Sequence, residues 1–429
     1  MIVIDEIYGP IDFPDYLIPV ITSPELQRLR DVRLINIFST SLASLSDVRR
    51  ITHTLGVTGL FLRLKPVFLQ ATKMDTRLCK TIEIACLVHD VATPAFAHLF
   101  EYELKRKNGW SHENQCESII KGTYRPESRY HQIYFGNQLS LNARILKLGV
   151  DPEQVWLTIR GKAPYGQLIS GTIDLDNIDN VFRMYNALGI KKCQNVVYEI
   201  VDSIIPHPED LIFRKKAVPA IQFWSEARRS CYNLLLFDEQ TLSSQAMLGQ
   251  LLWQAVETGL LNDEYWHLTD DQLLYKLFAD YQPGRGIIKR LVTGNHFASL
   301  GIYWYEFEQK IADALSTHVS RERLANELST SLKVPCYLYY FEDRGTFEKN
   351  LNIKIGNSDQ DNKKISLGKQ SHSMIVAIFT SSNNTQAIES ARRSITRLFE
   401  SMLPSIPSVR KLPSVRAYYG IDRQEEFPI

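Results

Sequence analysis

The chain has 429 residues, 44% of them hydrophobic and 23% charged, with a net charge of +1. That size and balance suit a large globular domain, alone or with a smaller companion. The near-neutral charge excludes a strong global field for nucleic acid but not a local basic groove. Six cysteines, at 79, 86, 116, 193, 231 and 336, form no C-x-x-C pair. Scattered thiols of this kind suit a reduced cytosolic protein rather than a disulfide scaffold. The opening MIVIDEIYGPIDFP carries acids and prolines and does not read as a signal peptide. No apolar run approaches the roughly 18 residues that a membrane span requires. The expectation is a cytoplasmic protein with no membrane contact.

In chain order, the first twenty residues predict short extended pieces around turns. Ser23-Pro24 marks a helix start, with Ser23 as N-cap and proline in the first turn. The segment ELQRLRDVRLINIF that follows predicts a helix with Leu26, Leu29 and Val32 on one face and basic residues elsewhere. A second helix is predicted from about Asp47 to Leu64, where Arg50 and His53, three apart, share a face. Arg77 to His89 is apolar enough to be a central buried helix. Lys107 to Leu139 predicts irregular chain around a short helix, and helices resume from Ser140 to Ile190. There Asp176, Asp179 and Arg183 share a face, with Asp179 and Arg183 at ion-pair spacing. Helical blocks continue through RKKAVPAIQFWSEARR, SSQAMLGQLLWQAVETGLL and TDDQLLYKLFADY. The stretch GRGIIKRLVTGN lacks the P-loop pattern and predicts a helix after a Gly-rich turn. After about Ser331, VPCYLYYFED and HSMIVAIFTSS read as strands, the intervening GNSDQDNKKISLGKQ as a loop, and TQAIESARRSITRLFESML as an amphipathic helix. The expected division is a helical region over 1–330 and a small α+β region over 331–429.

Four potential metal ligands stand in this frame: His53, the adjacent His89 and Asp90, and Asp176. Imidazole and carboxylate together suit a borderline divalent ion such as Mn²⁺, Fe²⁺, Co²⁺ or Zn²⁺, with Mg²⁺ as an alternative. His89-Asp90 ends the apolar run IEIACLV, where polar groups are rarely left unpaired. Placed on three helices, such side chains converge in a bundle core and leave coordination positions open for water or substrate. His98 and Glu101, three apart at a helix start, suit a carboxylate orienting a general acid. His112 is a second proton donor or phosphate ligand, and Arg50 a phosphate clamp. Each residue alone also has a structural reading: a core histidine, a helix-end charge pair, a helix cap. The clusters Arg28, Arg30, Arg33 and Arg214, Lys215, Lys216 read by default as solvated faces.

R-I-T-H (50–53), HDVATPAFAHLFE (89–101), S-H-E-N (111–114) and IDLDNID (173–179) match in order and spacing a known set. Together they resemble the HD-domain metal phosphohydrolases, in particular the deoxynucleoside triphosphate triphosphohydrolase branch, over about residues 20 to 310. QRLRDVRLINIF and LTDDQLLYKL resemble further pieces of that branch. The resemblance implies a mainly α fold, an HD-domain helical bundle core with a small α+β C-terminal appendage. It implies metal ligands at His53, His89, Asp90 and Asp176, a catalytic His98–Glu101 pair, and phosphate contacts from Arg50 and His112, the latter also a catalytic candidate. Thr93 is a further candidate substrate contact, and Asp179 is equally a substrate contact or an ion pair with Arg183. It further implies cleavage of a nucleotide substrate between the α-phosphate and the nucleoside, a homo-oligomer, and a nucleotide activator bound between subunits near Gln27 and Arg30. A role in antiviral defence by nucleotide depletion follows by analogy alone.

The chain also departs from that pattern. Ala92 and Thr93 replace a glycine and a His or Asn, while Leu34, Asn180 and Met184 stand where the branch carries Gln, Tyr and Asp against the nucleoside. The metal motifs are therefore kept while the nucleoside pocket differs. Two other functions stay open on that ground: an HD phosphodiesterase or nuclease acting on single-stranded nucleic acid or a cyclic nucleotide, and a catalytically weak nucleotide sensor. The near-neutral charge and the lack of a basic-aromatic stripe speak against a long nucleic-acid track.

Overall fold

The computed structural model describes residues 1–72, 75–124, 139–189, 193–345, 350–357, 362–368 and 370–403. Expectations for the rest, including part of the 107–139 segment, lie outside the described residues. The fold is mainly α with a small α+β part, as the periodicity and the resemblance lead one to expect. No helix among the described residues is long and apolar enough to cross a membrane.

The chain begins with an antiparallel hairpin, β1 (Ile2–Asp5) and β2 (Gly9–Asp12), in which Asp5 pairs with Gly9. Asp5 Oδ1 shapes the turn by accepting from the backbone N–H groups of Ile7 and Tyr8 at 2.8 and 3.0 Å. Ser23 caps a helix as expected, accepting from Leu26 N–H, but that helix ends at Gln27. A single 3₁₀ turn, Arg28–Asp31, follows, and Val32 is extended. The long helix predicted over residues 25–38 is thus corrected, and long-range bonds account for the change. Leu34 N–H donates to Val48 O (2.8 Å) and Arg50 N–H to Val32 O (3.0 Å). Asp270 accepts from Arg33 N–H at 2.9 Å. These tertiary partners outcompete a helix of modest intrinsic preference. The basic cluster there is corrected too, since Arg28 is wholly buried and Arg33 pairs with Asp270. Arg30, Arg214, Lys215 and Lys216 are exposed, as expected.

The centre of the helical region is the Arg50–Thr72 helix packed against Thr76–Val88 and Leu175–Ala187, with Pro152–Ile159 on the far side of Thr76–Val88. The first of these runs past its expected end and through Pro66. The lost backbone bond is outweighed because Leu64 and Phe68, on either side, are fully buried. Thr76–Val88 is buried from Thr81 onward, and its buried Glu83 is satisfied by Lys65 Nζ (2.6 Å) and Tyr16 O–H (2.5 Å). The Arg285–Val292 helix forms as the Gly-rich turn suggested.

The α+β part is built on a three-stranded antiparallel sheet ordered β5–β9–β6: β5 (Ala298–Glu306), β9 (Ser373–Thr380) and β6 (Cys336–Asp343). β9 is buried on both faces, which explains its unbroken apolar run. Met374, Val376 and Ile378 pack with Ala391, Ile395 and Phe399 of the Thr385–Met402 helix. A second sheet joins β3 (Ile204–Ile205) and β4 (Ile212–Arg214) to β7 (Leu351–Gly356) and β8 (Asn362–Leu367), with β4 and β7 parallel. Strand pairing therefore crosses residue 330 in both directions. β8 also corrects the expected loop over 356–370: Ile365 opposite Ile353 gives KKISL a strand alternation that its polar residues obscure.

Candidate functional site

The site begins where two histidines are fixed from behind. His89 caps the C-terminus of the Thr76–Val88 helix and shares a hydrogen through Nδ1 with Cys86 O at 2.9 Å. A carbonyl only accepts, so Nδ1 carries a proton, and Nε2 is the ring nitrogen turned toward the site. His53 lies one turn into the Arg50–Thr72 helix, 1% exposed, with Nδ1 2.7 Å from Asp179 Oδ2. The two Nε2 atoms face each other across 3.4 Å. Asp176 Oδ1 is 3.0 Å from His53 Nε2 and 3.8 Å from His89 Nε2, and Asp90 Oδ2 lies 3.9 and 3.8 Å from the same atoms.

Opposed imidazole lone pairs ringed by carboxylates repel unless a cation or proton lies among them. His53, His89 and Asp90 form a group whose ligand atoms lie within 4.8 Å of one another, close enough to share a metal ion. Burial pulls the His53 imidazole down, but hydrogen bonds to Asp176 and Asp179 overcome it and carry its pKa up to about 10. Burial would likewise raise the Asp90 carboxyl, yet Arg50 and the neighbouring imidazoles hold it well below the usual carboxylate range. The first shift reflects the negative field of Asp176 and Asp179, the second the cationic neighbours that already keep Asp90 ionised. Donors of this chemistry, each with its outer atom engaged, fit a divalent metal.

Asp176 is the second residue of the Leu175–Ala187 helix, whose start is fixed by Asp174 accepting from Asn177 N–H at 2.7 Å and Gly171 N–H at 2.8 Å. With 35% of its side chain exposed, Asp176 marks the open side of the cluster. Asp179, for which a substrate contact and an ion pair with Arg183 were equal expectations, is wholly buried and held by His53 and by Arg183, whose Nε and Nη2 each donate at 2.9 Å. Arg183 Nη2 continues to Asp5 Oδ2 of the N-terminal hairpin, also at 2.9 Å. Arg50, expected as a phosphate clamp, gives Nη1 to Asp90 at 2.5 Å and Nη2 to Leu34 O at 3.1 Å. The Thr93 hydroxyl donates to Asp90 Oδ1 at 3.2 Å, and the side chain is 4% exposed. Arg50 and Thr93 thus both orient Asp90.

A second group stands nearer the surface. Glu101 Oε1 accepts from His112 Nδ1 at 2.6 Å and from its backbone N–H at 3.1 Å, while Oε2 is 3.2 Å from His98 Nδ1. His98 leads its helix with 81% of its side chain exposed, and His112 opens the next helix, which is capped by Ser111. Burial would raise the Glu101 carboxyl, but bonds to His112 and His98 push it far down. Burial would lower the His112 imidazole, but Glu101 and the field of Asp90 raise it. That field ties the second group to the first. Of the residues expected at a regulatory nucleotide, Gln27 is half-buried and donates from its amide to Ile21 O at 2.7 Å, and Arg30 is exposed.

Two functional features escape sequence reasoning. Gly56, in the middle of a helix, is where a Cβ would lie 2.1 Å from Asp179 Oδ1 and 2.4 Å from Arg183 Nη2. Only glycine lets that ion pair press against the helix bearing His53. The signal available was a helical glycine three residues after a suspected ligand, on the same face. The other is the turn before His98, where Phe96 and Ala97 have φ of 55° and 45°. Such backbone costs about 1–3 kcal/mol per residue and persists only when its surroundings impose it.

No protein-family model matches the chain. The chain is similar to the deoxynucleoside triphosphate triphosphohydrolase SAMHD1 homolog of Dictyostelium discoideum, 31% identical over 123 residues. The matched stretch covers 28% of this chain and about a quarter, 24%, of that relative's length.

Proposed function

We propose that the protein is a metal-dependent nucleotide phosphohydrolase of the HD type that converts deoxynucleoside triphosphates to deoxynucleoside and triphosphate. The observation that carries this reading is the pair of opposed Nε2 atoms, 3.4 Å apart and flanked by Asp90 and Asp176. The partial similarity to a deoxynucleoside triphosphate triphosphohydrolase homolog supports the same class of reaction. His53, His89, Asp90 and Asp176 would hold the ion, one of Mn²⁺, Fe²⁺, Co²⁺, Zn²⁺ or Mg²⁺. When bound, it would polarise the α-phosphoryl group and make water acidic enough to attack near neutral pH. Asp179 and the Cys86 carbonyl keep both imidazoles aimed at the ion, and Arg50 and Thr93 hold Asp90 ionised and oriented. Glu101 keeps His112 proton-bearing and orients the His98 ring through Nδ1, and His98, the more exposed, would serve as the acid for the leaving 5′-oxygen. Assembly into a homo-oligomer with an activating nucleotide against Arg30 belongs to the same reading.

The test is turnover by purified protein with Mn²⁺, Mg²⁺ or Co²⁺, offering each deoxynucleoside triphosphate singly and in mixture and separating products by chromatography. Deoxynucleoside with intact triphosphate is the expected outcome, and activity confined to mixtures reveals the activator. Monophosphate with pyrophosphate, or no turnover with any metal, sinks the proposal.

A further inference from the structure

The segment from His89 to Glu101 leads from the metal-ligand pair to the proton-handling carboxylate, and two buried side chains from distant parts of the chain shape it. Arg28 donates from Nη2 to Val91 O at 3.2 Å and Thr93 O at 2.6 Å. Asp270, wholly buried, accepts Phe96 N–H through Oδ1 at 2.9 Å. Its Oδ2 accepts from Arg33, from N–H at 2.9 Å and from Nη1 at 3.3 Å. The backbone held by these bonds is the turn at Phe96 and Ala97, two successive non-glycine residues at positive φ. Both side chains are buried, at 1% and 2% exposure, so the turn has no outward route to relax. The His98–Asn108 helix starts at the next residue, and Ala97 O accepts Glu101 N–H at 3.1 Å. The direction of this helix, and with it the placement of His98 and Glu101, is therefore set by the strained turn.

Asp270 is not needed for its own helix, Asp270–Asp280, because Thr269 and Gln272 already form a reciprocal capping box there. An ionisable side chain buried at a helix start, with both oxygens turned to other segments, needs another role. We infer that Asp270 is a positioning residue for the His98, Glu101 and His112 group: its carboxylate pins the Phe96–Ala97 turn, while Arg28 fixes the carbonyls just upstream. The inference rests on the proposed hydrolysis for its rate readout alone.

The experiment compares the full chain with Asp270→Ala, Asp270→Ala with Ala97→Gly, and Asp271→Ala. Asp271, next in sequence and 80% exposed, is the control and keeps wild-type turnover. In Asp270→Ala, kcat falls by about 10²-fold through misplacement of the acid, while KM and bound Mn²⁺ stay unchanged. Adding Ala97→Gly restores part of kcat, because glycine adopts positive φ without the steric cost. In parallel, imidazole NMR of the Asp270→Ala protein shows His98 and His112 resonances displaced and those of His53 and His89 in place. Should Asp270→Ala fail to fold, Asp270→Asn keeps an oxygen for Phe96 N–H, loses the charge facing Arg33, and is read the same way. Wild-type kcat with unmoved His98 and His112 resonances overturns the inference. So does a loss that tracks bound metal and is not relieved by Ala97→Gly. If the wild-type protein turns over no nucleotide, the imidazole spectra still decide: displaced His98 and His112 resonances uphold the positioning role while the hydrolysis reading fails alone.

Discussion

The two halves of the site are built on opposite principles. His53, His89, Asp90 and Asp176 sit where helices pack, and both imidazoles and Asp90 are held by a further buried group. His98 and Glu101 follow a turn at positive φ, His112 opens the next helix, and His98 is largely open to solvent. A metal centre needs several donors fixed at once, which a packed core supplies. A proton donor must meet a leaving group that arrives with the substrate, which requires access. In the proposed function the two roles differ in this way, with His53 at 1% and His98 at 81% side-chain exposure as the extremes.

Mutations should separate the halves. The largest effect is expected from His89→Ala, which removes a donor and should abolish bound metal and turnover together; turnover with wild-type metal content refutes the assignment. Glu101→Gln should lower kcat by about 10²–10⁴-fold yet leave metal stoichiometry untouched, and loss of both would mean the halves are not separable. Asp179→Asn should weaken metal affinity by about 10–100-fold, as outer-shell partners of histidine ligands do. Gly56→Ala should move affinity the same way by displacing Asp179, and should also cost about 1–3 kcal/mol of stability through overpacking. Titration of apo protein with Mn²⁺ and denaturant unfolding read both numbers.

The smallest effect concerns pH. Glu101 is depressed in the folded state, so its contribution is present above its ordinary 4.5 and is lost as pH falls through the lowered folded value. His112 is raised, so its contribution is present below its ordinary 6.5 and is lost as pH rises through the raised folded value. The stability gap between wild type and Glu101→Gln should therefore be widest between about pH 4.5 and 6.5 and narrow on either side. A gap that does not change with pH counts against a charged pair.

Much of this was legible in the sequence, for identifiable reasons. The Thr76–Val88 helix has a capping Asp75, an apolar C-terminal half (Ile84–Val88) and a His-Asp terminus, so local and tertiary preferences agree. The cluster of His53, His89 and Asp90 that could hold a metal was conspicuous because histidine and aspartate stand out in apolar helices. Residues 28–38 misled because Val48, Arg50 and Asp270, far along the chain, supply the bonds that replace a helix. Arg28 was misjudged for a related reason, since a charged residue looks solvated until its buried partner is known. Gly56 and Asp270 act only through three-dimensional proximity, which spacing does not encode.

The measurement that bears most directly on the account is an anomalous difference map from crystals of the protein grown with Mn²⁺. One strong peak within coordinating reach of His53 Nε2, His89 Nε2, Asp90 and Asp176, absent in His89→Ala, is the result predicted. No peak there in a preparation that hydrolyses nucleotide, or a peak bound elsewhere, would contradict it.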